Sequence, residues 1–138
     1  MHTARALVMS IIAVASLVLA VAYPALADMG DISVGGVWVC RITRGAGGLS
    51  PEQRVVQIER QITEVLSIPG IVRRTITVSV RPFGQSAAIV VGDITVITVT
   101  PEDAAGTNVT TMELARQWAR RLVAGLQRAL PSATFHGF

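Results

Sequence analysis

In the stretch "GDITVITVTPEDAAG", Gly92–Gly106, a run of β-branched residues gives way to two adjacent acids, Glu102 and Asp103. The run Ile94–Val99 reads as a strand. Two carboxylates at a strand end fit a metal site or a general acid/base pair. They also fit the opening of a helix. A second stretch, "LSPEQR" at Leu49–Arg54, has the same shape. In both Ser50-Pro51-Glu52-Gln53 and Thr100-Pro101-Glu102-Asp103 a hydroxyl residue stands where a helix N-cap belongs. Pro follows at the first helical position, where its missing N–H is no loss. Glu comes next, its charge toward the positive end of the helix dipole. Gln53 and Asp103 then stand three residues past the cap, where a side chain reaches back to the cap N–H. A helix start accounts for every residue in both stretches. The catalytic reading, a hydrolase using Glu102 or Asp103, leaves the partners of the pair missing.

Working outward, Gly92-Asp93 is a two-residue link of hairpin type between strands Ala87–Val91 and Ile94–Val99. The second of these is apolar enough on both faces to be central or covered. Upstream, "TITVSVR" at Thr75–Arg81 alternates cleanly, with Ile76, Val78 and Val80 on the core side. Ser50–Leu66 is a helix whose stripe is Val55, Ile58, Ile62 and Val65, and "SIPG" stops it. Ile32–Thr43 is the first strand, bulged or bent at Gly35-Gly36. Met112–Leu130 is the longest helix; Thr110 with Glu113 has the capping-box form, and Pro131 ends it. The resulting order, β-α-β-β-β-α, implies an α+β fold. It is a two-layer sandwich with a small mixed or antiparallel sheet and two helices on one face. One domain over 28–131 is expected, followed by a tail at 132–138.

Bulk properties speak to compartment. The chain has 138 residues, 51% of them hydrophobic, and a mean hydropathy of +0.54. That excludes disorder. Part of the apolar excess lies in "ARALVMSIIAVASLVLAVAYPALAD", where Arg5 precedes an apolar run, Pro24 breaks it, and Ala25-Leu26-Ala27 has the form of a signal peptidase site. Residues 1–27 therefore read as a signal peptide, and the protein as exported, periplasmic or extracellular. Left uncleaved, this segment is the one expected contact with a membrane. Without it, eleven Arg face nine acids, a net charge of +2. That is too mild for nucleic acid.

The search for chemistry is short. Cys40 is the single cysteine and alternates as a buried strand residue. His136 is the one histidine after the signal segment. No spaced set of His, Cys or acids calls for zinc, and no calcium loop occurs. No cofactor is expected. Asp93, Glu102 and Asp103 are the acids a glycoside hydrolase would recruit, without the aromatics that stack sugars. Arg116, Arg120 and Arg121 share a region of the long helix. They read as a solvated face, partly balanced by Glu113, or as a contact for a partner.

Four segments together carry a resemblance: "GGVWVCRI", "LSPEQRVVQIERQI", "GDITVITVTPEDAAG" and "LARQWARRLVAGL". They resemble an extracytoplasmic domain that precedes the membrane helices in some bacterial mechanosensitive channels of the small-conductance type. The matching positions are Ser50, Glu52 and Arg54; Val99, Thr100, Asp103 and Ala104; and Leu114, Ala115 and Trp118. With no apolar span after Phe138, the resemblance implies a stand-alone accessory module of the periplasm or cell surface. The expected function is non-catalytic binding of an envelope protein, a membrane channel included. The alternative is self-association through sheet edges within Ala87–Val99.

Overall fold

The computed structural model describes residues 30–137; the segment read as a signal peptide lies outside the described residues. At the start of the described chain, Gly35 and Gly36 take φ of 54° and 77°. Two successive left-handed residues are what a two-residue hairpin turn demands, and glycine meets that demand without strain. The chain therefore reverses where the sequence reading bent it. The expected first strand is two: β1 (Asp31–Val34) pairs antiparallel with β2 (Val37–Arg41).

Helix α1 (Pro51–Leu66) follows, then a 3-10 turn at Ile71–Arg73. Next come β3 (Thr75–Phe83), β4 (Ser86–Val91) and β5 (Ile94–Val99). The chain continues through the one-turn helix α2 (Pro101–Ala104) and the long helix α3 (Thr111–Ala129). The stretch read as a tail holds a further strand, β6 (Thr134–His136). The fold is an α+β sandwich with a two-stranded and a four-stranded sheet. The larger sheet has the order β5-β4-β3-β6 and is mixed: β6 runs parallel to β3, and the other pairs are antiparallel.

β6 forms because its few residues alternate. Ala133 and Phe135 are buried, while Thr134 and His136 are exposed. Gln127 donates to the Ala133 C=O at 2.8 Å and so ties the approach to the strand onto α3.

One face of the large sheet carries the core. Ile76, Val78, Ile89, Val91, Ile97 and Val99 join α1, α3 and the β1–β2 hairpin in a single cluster. The other face shows Thr75, Thr77 and Arg81 to solvent, as the alternation of β3 requires. Strand β4 is internal and buried from Ala87 to Val91. Strand β5, expected to be central or covered, is an edge strand that α1 covers.

Helix α3 buries Leu114, Ala115, Trp118, Ala119, Leu122, Gly125 and Leu126, and Leu130 follows it as a half-buried C-cap. It packs against the sheet on one side and the hairpin on the other. Gly125 is the point of closest approach. A Cβ placed there would lie 2.6 Å from the Val34 carbonyl oxygen and 2.9 Å from the Val34 Cβ.

Candidate functional site

The two Pro-Glu helix starts are joined. At α1, Ser50 Oγ accepts from the Gln53 N–H, and Gln53 Oε1 accepts from the Ser50 N–H. At α2, Thr100 Oγ1 accepts from the Asp103 N–H at 3.4 Å, and Asp103 Oδ2 accepts from the Thr100 N–H at 2.9 Å. Asp103 does more than cap. Arg54, in the first turns of α1, donates Nη1 to Asp103 Oδ1 at 2.9 Å and Nη2 to Oδ2 at 2.7 Å. The same guanidinium donates to the Arg44 C=O at 2.6 Å and the Thr98 C=O at 3.0 Å. The side chains are 7% and 2% exposed. This planar, two-pronged bond clamps the start of α1, the start of α2 and the end of β5 to one another.

Arg54 acquired no role in the sequence reading beyond its place in a motif. A signal was present. Arg54, Ile58 and Ile62 are spaced by four, so the cation sits on the apolar stripe and needs a buried partner.

The acids named for hydrolysis do not converge. Asp103 turns inward, and its two oxygens accept from Arg54 and Thr100. Glu102 is exposed. Asp93 precedes β5 and Asp103 follows it, so a six-residue strand separates them, about 20 Å at 3.4 Å per residue. Among the described residues no group of three His, Cys, Asp or Glu is placed to hold a metal ion.

At α3, Thr110 accepts from the Glu113 N–H at 3.2 Å, which is half of the expected box. The Glu113 carboxylate instead faces Arg116 at 3.7 Å. The three helix arginines part company. Arg116 has Glu113, and Arg120 is exposed. Arg121 lies 4.8 Å over the Trp38 ring and donates to the Val39 C=O at 3.4 Å, so it fastens the hairpin to α3.

On the same hairpin, Asp31 accepts two bonds from Arg41, each 2.6 Å, and one from Trp38 Nε1 at 3.1 Å. The Arg41 guanidinium first, and the Trp38 N–H second, hold its carboxyl down at about 2. The lowered value means that the ionised form is favoured by folding. The contribution is complete above the ordinary carboxylate range near 4 and is lost as pH falls through 2. An NMR titration of Asp31 should therefore show its midpoint near 2, and Arg41→Gln should raise it. A midpoint at the ordinary value in the unaltered protein would mean that the pair does not persist in solution.

Cys40 is buried with no exposed surface. Burial pushes its thiol up to about 12. Iodoacetamide at pH 8 should leave it unmodified in the folded protein and label it once urea unfolds the chain. Rapid labelling of the native protein would contradict this packing.

A groove of about 480 Å³ lies between α1 and β5. Its helix wall is the row Gln57, Gln61 and Glu64, one face at i, i+4, i+7. Its strand wall runs from Asp93 to Thr98. β5 is hydrogen-bonded to β4 on one side and has no strand on the other among the described residues. A smaller cleft of about 260 Å³ continues past Thr98, with the exposed Phe83 at its rim. The stretch Ala87–Val99, expected to offer edges for self-pairing, thus contains one internal strand and one edge.

A mixed four-stranded sheet, a hairpin docked on the longest helix and a helix-walled edge groove define a small α+β domain. The chain belongs to the family described as Domain of unknown function (DUF8459), which matches residues 31–129, from the first residue of β1 to the last of α3. No curated protein and no solved structure matches the chain.

Proposed function

We propose that this protein is an exported, non-catalytic domain that binds a partner protein at the cell envelope. The observation that carries the reading is the α1–β5 groove. It is a ligand-sized cleft, within the roughly 300–1,000 Å³ common for binding sites, and it runs beside a sheet edge that no strand occupies among the described residues. The signal-like segment 1–27 and the resemblance to channel-associated extracytoplasmic domains support an envelope setting, and a channel is one such partner. We favour the groove over Arg116, Arg120 and Arg121 as the contact surface: Arg121 is held by Trp38 and Arg116 faces Glu113, while Arg120 is exposed on the helix.

A photo-crosslinking residue at Gln61, introduced into the full chain in its own host, tests this. One dominant adduct is expected, and it should vanish when the crosslinker is moved to Glu59 on the exposed side of α1. Absence of an adduct at Gln61 would sink the proposal.

A further inference from the structure

We infer that the occupant of the α1–β5 groove is a short, extended, basic segment of the partner, with an Arg or Lys side chain held between Glu64 and Asp93. The inference rests on the binding role proposed above and names the chemistry of what is bound.

The length of the slot comes first. Gln57 to Glu64 spans seven residues of helix, about 10 Å at 1.5 Å per residue. An extended chain covers that in about three residues. The helix and the strand run in opposite directions, since Arg54 meets Thr98 at one end while Glu64 and Asp93 lie at the other.

Charge selects the ligand. Among the described residues three charged side chains line the groove: Arg54, Glu64 and Asp93. Arg54 is neutralised by Asp103 within the clamp. Glu64 and Asp93 are exposed and have no hydrogen bond or ion pair from their carboxylates among the described residues. The slot therefore carries two uncompensated negative charges in a protein whose overall charge is +3. Between these acids and the clamp, the amides of Gln57 and Gln61 offer both donors and acceptors to a passing backbone.

The edge itself argues against a second copy as occupant. The β4–β5 ladder shifts register at Ile89/Val90, which leaves Val96 as an extra residue, and Arg54 already holds the Thr98 C=O. Both features blunt a long, regular strand addition. A short basic segment, recognised mainly by the helix wall, meets neither obstacle.

The test uses the full chain in dodecyl maltoside micelles and three fluorescein-labelled peptides: Ala-Arg, Ala-Gln and Ala-Glu, each repeated three times. Anisotropy should show saturable binding of the Arg peptide, about tenfold or more tighter than the Gln peptide. The Glu peptide should not bind. Net charge cannot produce this order, because a chain of +3 favours the acidic peptide. The double change Glu64→Gln with Asp93→Asn should remove the preference, and Gln61→Arg should do so independently. Glu59→Gln and Glu102→Gln, exposed acids outside the groove, should keep it. Equal binding of the three peptides, or equal loss in the outside controls, overturns the inference. A Gln61 adduct from the host without an Arg preference leaves the binding role standing and overturns the basic-segment assignment alone.

Discussion

Replacing Asp103 with Ala is expected to destabilise the domain by about 3–5 kcal/mol, the usual cost of stranding one partner of a buried ion pair. The reason is geometric. Arg54 is buried, and two of its four hydrogen bonds end on Asp103. Without the carboxylate a cation whose side chain is only 7% exposed is left without its counter-charge, and the Thr100 N–H loses its cap acceptor as well. Asp103→Asn keeps the size and one acceptor but not the charge, so it should be milder. The double change Arg54→Met with Asp103→Leu should be less damaging than Asp103→Ala, because it removes both charges together. Urea denaturation followed by circular dichroism measures all three. A loss below about 1 kcal/mol for Asp103→Ala would show a solvated pair, and the clamp would then be a surface contact.

Gly125→Ala is expected to destabilise by about 1–3 kcal/mol, the range for overpacking a tight contact. On helix propensity alone the sign is opposite, since Ala in a helix interior is favoured over Gly by about 1 kcal/mol. The close approach to Val34 decides the direction. The atom a new methyl would meet at 2.6 Å is a backbone oxygen, which cannot swing aside as a side chain tip does. The hairpin must shift away from α3, and the Arg121–Trp38 stack sits on that same seam. A drop in Tm is therefore expected together with a change in tryptophan fluorescence from Trp38. A rise in Tm would mean that propensity outweighs the contact.

Much of the fold was legible because it rests on local rules. The two Pro-Glu starts announce α1 and α2 within four residues each, and β3 declares itself by alternation. The turn at Gly92-Asp93 needs only its own glycine, which takes φ of 60°. What escaped depends on distant partners. A Gly-Gly pair bends or reverses a strand depending on what packs behind it, and here α3 packs behind it. β6 is three residues long and exists only because β3 offers its side; Ile76 and Phe135 are fifty-nine residues apart in the chain. The candidate site divides in the same way. The capping role of Asp103 was readable from spacing. Its bond to Arg54, forty-nine residues away, showed only as a misplaced cation on an apolar stripe. The groove belongs to neither α1 nor β5 alone, so no single stretch announces it.

The placement of β6 beside β3 bears on the timing of folding. A chain that emerges N-terminus first has made β3, β4 and β5 long before Thr134–His136 arrives. Until then one side of β3 stays unpaired, and until Asp103 appears Arg54 has no counter-charge to bury with. Contacts of such separation reward the chain only after nearly all of it is free to close the loops. Stable structure is thereby deferred to the end of synthesis. Under the export proposed above, the chain would cross a membrane as an unfolded thread, and such a delay would be an asset, because the last strand would be across before the fold locks.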